Sequence, residues 1–168
     1  MDQQSPTNWL PAFIGLLGAV IGAVASISGT LISEKCRNQR ESTQLKASLI
    51  AEINAILYAI EVRGYLKTLD EISGHLKLEP KGTKLTAQVL IPEHYSRIYQ
   101  ANAANIGKLD SGSAYNIVQF HQLIDAVVQD VTPGGVLAEG AELEVFEEAS
   151  RMVRKAITIG KEIVRKTA

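Results

Sequence analysis

The chain has 168 residues, with 17 Lys and Arg against 18 Asp and Glu and a formal net charge of −1. So balanced a charge argues against a nucleic-acid binder, which needs a net basic face to displace counterions. A single cysteine excludes an internal disulfide, and with it the stapled framework of a small secreted domain.

Residues 1–11 form a short tail with no Lys or Arg. Residues 12–32, AFIGLLGAVIGAVASISGTLI, then run for 21 positions without a charge or a proline. As a helix rising ~1.5 Å per residue, that run covers roughly 30 Å, the hydrocarbon thickness of a bilayer. It predicts one transmembrane helix. Gly15, Gly18, Gly22, Ser26 and Gly29 fall within an arc of about 80° on it, opposite Phe13, Leu17, Val20, Val24 and Leu31. Lipid supplies no hydrophobic drive between helices, so association depends on the close approach that small residues permit. The glycine face is therefore expected to form a homo-oligomer, although glycine also occurs in membrane helices that pair with nothing.

All the Lys and Arg follow the run, led by Lys35, Arg37 and Arg40. The positive-inside rule then puts the tail outside and the main domain in the cytoplasm, with Trp9 as an interfacial anchor. A cleaved signal peptide, for which Ala23-Val24-Ala25 could serve as the cut site, would start with a basic region and have a shorter apolar core. The tail holds Asp2 and no base, which favours the anchor. Cys36 is read as an unmodified juxtamembrane thiol, since palmitoylation would need a eukaryotic setting.

Beyond a polar linker, residues 33–44, the rest is long enough for one domain, residues 45–168. Its expected class is all-α, a bundle of about four helices. Leu45, Leu49, Ile53, Ile56, Leu57 and Ile60 share one arc of about 120°. After Arg63-Gly64, Tyr65, Leu69 and Ile72 point nearly the opposite way, so a kink or break is expected near Gly64. Helical period is then lost. Leu76 and Leu78 before Pro80-Lys81-Gly82, and Leu85, Ala87, Val89 and Ile91 after it, alternate with mostly polar neighbours. A short β-hairpin over residues 76–91 and an irregular loop fit that pattern equally well.

Pro92-Glu93 reads as a helix start, with Tyr95, Ile98, Tyr99, Asn102, Ile106 and Leu109 on one side and an end at Gly107. Residues 110–113 offer N-caps for the next helix, whose stripe is Ile117, Phe120, Ile124, Val127, Val128 and Val131. Thr132-Pro133-Gly134-Gly135 ends it. The last helix, roughly residues 139–167, buries Phe146, Ala149, Met152, Val153, Ala156, Ile163 and Val164. Its acids crowd the start (Glu142, Glu144, Glu147, Glu148) and its bases the end (Lys161, Arg165, Lys166), as the macrodipole favours. That order is explained without a partner, which makes a membrane-surface role for the basic end the less economical reading.

No metal or cofactor is expected. His75, His94 and His121 share no ligand spacing, and there is no H-E-x-x-H, C-x-x-C, G-x-S-x-G, phosphate-loop or dinucleotide motif. The glutamates at 144–148 are read as a solvated face. One polar constellation remains. Asn102 interrupts its apolar stripe beside Tyr95 and Tyr99, and His121 interrupts the next. If the two helices pack antiparallel, the four side chains meet in a buried network, which more readily fixes helix register than binds a ligand.

Tyr99-x-x-Asn102-x-x-x-Ile106-Gly107-x-Leu109, followed by Ile117-x-x-Phe120-His121, with Glu61-x-Arg63-Gly64-Tyr65 upstream, resembles a pattern in small uncharacterised bacterial and prophage membrane proteins. These look like one N-terminal span plus a helical domain, and the likeness covers about residues 10–130. It implies a bacterial inner-membrane setting and no activity. His121 stands where that pattern would carry a second Tyr after Phe120.

Two functions fit these readings. The first is a single-pass, membrane-anchored helical interaction module, self-associating and without evident enzymatic activity. Its partners would be membrane lipid, a second copy and an unidentified protein, with no nucleic acid. The second is a membrane-active effector, of the phage-exclusion or toxin type, whose spans assemble in the bilayer.

Overall fold

A computed structural model describes residues 10–166, with side chains from residue 33 onward. Its elements are α1 (Leu10–Val62), α2 (Tyr65–Leu76), α3 (Arg97–Asn102) continued as a 3-10 turn (Ala103–Lys108), α4 (Ser111–Val131), α5 (Val136–Glu139) and α6 (Leu143–Arg165). The described chain is helical throughout its regular structure, in agreement with the all-α class. Among the described residues no helix is long and apolar enough to cross a membrane. The expected span, residues 12–32, has its backbone within α1. Its side chains, including the face of Gly15, Gly18, Gly22, Ser26 and Gly29, lie outside the described residues.

The chain divides into two units, Met1–Ser42 and Thr43–Ala168. In the described part of the first, residues 33–40 are exposed helix, with an i,i+4 pair between Arg37 and Glu41 at 3.7 Å.

The second unit is a bundle with its own core. Leu45, Leu49, Ile53, Ile56 and Ile60 of α1 are buried, and so are Ile117, Phe120, Ile124, Val127 and Val131 of α4 and Phe146, Ala149, Val153, Ala156 and Ile163 of α6. These are the stripes that the helical period marks out, because every third or fourth side chain returns to one face. α4 packs extensively against α6, and α2 packs along α6. Lys77–Glu147 (2.9 Å) and Asp70–Arg154 tie α2 to α6 at the surface, where solvent screening keeps such pairs weak.

Helix boundaries follow local chemistry. Gly64 sits at φ 65° between α1 and α2, a left-handed conformation that glycine adopts without steric cost. It makes the expected break. Asp110 caps α4 by accepting the Ser113 N–H at 2.8 Å. That bond, with Lys46 alongside, holds the Asp110 carboxyl down at about 2.

Three expectations need correction. No hairpin forms across residues 76–91. Leu76 ends α2 in the core and Leu78 is exposed, while residues 85–89 run as a strap whose partners lie far along the chain. Leu85 and Ala141 exchange both backbone bonds (3.1 and 2.9 Å), Ala87 N–H donates to the Leu137 carbonyl (2.7 Å) and Val89 N–H to that of Val131 (3.0 Å). The last two carbonyls belong to the closing turns of α5 and α4, which lack intrahelical donors. The strap supplies them, so it has no need of a second strand. Second, α3 begins at Arg97 and not at Pro92, because residues 93–96 form a turn. Third, the closing helix begins at Leu143, since Gly140 adopts φ 117° and breaks the chain after α5.

Candidate functional site

The polar centre of the bundle is built around an acid. Glu52 occupies the buried stripe of α1 between Leu49 and Ile53 and is 7% exposed. Its Oε1 accepts the N–H of Ile98 at 2.7 Å and its Oε2 that of Tyr99 at 2.9 Å. These are orphan donors of the first turn of α3. Ser96, at the cap position, makes no side-chain cap bond, and a carboxylate from another helix satisfies the turn and meets its positive end.

His121 of α4 is fully buried beside this cap. Its ring stacks on Tyr99, 3.9 Å between centroids and 11° between planes, and meets Phe120 edge-on at 5.3 Å. Its Nε2 lies 3.9 Å from Glu52 Oε2, beyond hydrogen-bond distance, and neither ring nitrogen has a hydrogen-bond partner. Burial pushes its pKa down to about 4, so the ring is neutral at physiological pH. A neutral imidazole sealed between helices packs as an aromatic.

The four expected members of the polar cluster are therefore divided. Tyr99 and His121 meet. Tyr95 reaches one turn further along α4, where its hydroxyl donates to Asp125 Oδ1; burial raises the pKa of that carboxyl. Asn102 turns back on its own helix and donates to the Ile98 carbonyl at 2.9 Å. Glu52 and Asp125 complete the cluster without having been anticipated. Glu52 had a signal: an acid at the i+3 position within an otherwise apolar stripe. Asp125 had none beyond adjacency to Ile124.

The remaining singled-out polar residues lie apart. His75 pairs with Glu79 at 3.6 Å on the exposed side of α2, His94 is exposed in the turn before α3, and Cys36 is exposed. Among the described residues, no group of three or more His, Cys, Asp or Glu is placed to hold a metal ion.

Next to the polar centre lies a cavity of about 450 Å³, within the usual range of small-molecule sites. Ile56 and Ile60 of α1, Val89 of the strap with Ile91 just beyond it, and Val127 and Val128 of α4 form its walls. Glu52 and Tyr95 also line it, as do Arg63 and Tyr65, and Arg63 follows Glu52 by about three helical turns.

No protein-family model, curated protein or solved structure matches this chain.

Proposed function

We propose that this protein is a single-pass, membrane-anchored helical interaction module of a bacterial inner membrane, with the bundle on the cytoplasmic side. The observation that carries the reading is a division of labour within the sequence. Residues 12–32 are uncharged over 21 positions, the length a bilayer requires, while the unit Thr43–Ala168 buries a core of its own. A bundle that completes its own core has no need of the apolar run for folding, which leaves that run free to serve as an anchor. The basic residues just after the run support the cytoplasmic orientation, and the small-residue face supports self-association in the bilayer.

Alkaline carbonate washing of membranes from bacteria expressing the full chain tests the anchor. Retention in the pellet is expected, and release would overturn it. Alkaline phosphatase fused after Ala168 should be inactive, because its disulfides form only outside the cytoplasm. An active fusion would reverse the orientation. Membrane potential should hold steady during expression; a collapse would favour the bilayer-perturbing effector instead.

A further inference from the structure

We propose that the cavity under the strap binds a free fatty acid, its hydrocarbon chain along α1 and its carboxylate held by Arg63 and Tyr65. The site lies wholly within the bundle and does not depend on how the chain meets a membrane. It runs from Glu52 on α1 to Arg63 just past its end, about 16 Å at ~1.5 Å per residue, a length that suits an extended acyl chain. Its walls are aliphatic on the α1, strap and α4 sides, so an alkyl chain gains by exchanging water for those surfaces. Ala55 and Ala59 line the same track at exposed positions of α1. Their small side chains leave the rim open for a chain to enter sideways.

The two ends fix both head group and direction. At the inner end the Glu52 carboxylate is negative and already engaged by two backbone N–H groups, so it offers an anion nothing but repulsion. At the outer end Arg63 is exposed, and its Nη1 donates to the Tyr65 hydroxyl at 3.2 Å. Among the described ion pairs Arg63 has no carboxylate partner. Because that hydroxyl accepts from Arg63, its own proton is free to donate outward. Guanidinium and phenol together present two donor groups to one carboxylate, and a bond between a guanidinium and a carboxylate is charge-assisted and stronger than a neutral one. A cationic amphiphile would meet Arg63 at the mouth and is disfavoured for the same reason.

The test uses the full chain in phosphatidylcholine vesicles and a palmitic acid analogue carrying a photoactivatable diazirine. On illumination, adducts should map to peptides from the second half of α1, the strap and α4, and excess unlabelled palmitate should suppress them. Ala59→Trp, at an exposed position, fills the track and should lower labelling at least tenfold. Arg63→Glu, also exposed, should lower it comparably by repelling the head group, so a folding defect in one variant leaves the other decisive. Methyl palmitate, which lacks the anion, should compete poorly. Adducts confined to residues 10–32, or labelling indifferent to palmitate and to both substitutions, would overturn the site. Competition by methyl palmitate equal to that by palmitate would overturn the carboxylate clamp.

Discussion

The imidazole of His121 lies flat on the ring of Tyr99, 3.9 Å between centroids, with the Glu52 carboxylate that caps α3 3.9 Å from its Nε2. Three helices thus converge on one buried, neutral base. Burial lowers its pKa from 6.5 to about 4. With the folded pKa below the unfolded one, the stability it contributes is fully present above about pH 6.5. That stability is lost as pH falls toward 4, because the unfolded chain takes up the proton first. At about 1.4 kcal/mol per unit the loss is on the order of 3 kcal/mol, offset in part by attraction between the imidazolium and Glu52. Thermal melts between pH 7 and 4 should therefore fall more steeply for the parent than for His121→Leu. Parallel profiles would show that His121 does not titrate in the fold.

Glu52 joins α1 to α3 through two backbone N–H groups. Glu52→Ala strands both donors, so a destabilisation of about 1–3 kcal/mol is expected. Glu52→Gln keeps one acceptor and should cost less. Hydrogen exchange reads the effect locally: the amides of Ile98 and Tyr99 should lose protection first in the Ala variant. Unchanged exchange there would mean that the cap does not hold α3.

Gly160 of α6 faces Phe120 of α4. A Cβ added at Gly160 would stand 2.8 Å from Phe120 Cε2 and 3.0 Å from Leu57 Cδ1. Phe120 is fully buried, so its ring cannot give way cheaply. Gly160→Ala should destabilise the bundle by about 1–3 kcal/mol through overpacking. Gly107→Ala, where nothing lies within 4 Å, is the control and should melt close to the parent.

Phe146 is fully buried, and Phe146→Ala should cost about 3–5 kcal/mol in lost contact and cavity. An exposed aromatic such as Tyr115 provides the contrast: Tyr115→Ala should change the melt little. Equal effects would mean that the core is not where these side chains place it.

Within the apolar run, Gly22 and Val20 lie on opposite arcs of the helix. Gly22→Ile keeps the segment apolar and should weaken self-association of the span in a membrane two-hybrid assay, while Val20→Ile should not. Equal signals from both variants and the parent would remove the proposed seam.

Much of the bundle was legible in the sequence because the responsible forces act within a few residues. The 3.6-residue period marks the buried stripes of α1, α4 and α6, Gly64 marks the break between α1 and α2, and the cap-rich run 110–113 marks the start of α4. Each depends on a side chain and its immediate backbone. Only the tertiary structure decided what covers each apolar face and where each displaced hydrogen bond goes. The alternation of Leu85, Ala87 and Val89 announces an extended segment, but its partners are carbonyls at Val131, Leu137 and Ala141, brought near by the packing of α4 and α6. The cap of α3 comes from Glu52, 46 residues before Ile98, and Asn102 satisfies itself on Ile98 instead of reaching His121. Periodicity tells a residue which way to face. It carries no information about which distant backbone group will be waiting there, because that is settled only when all the helices share one core.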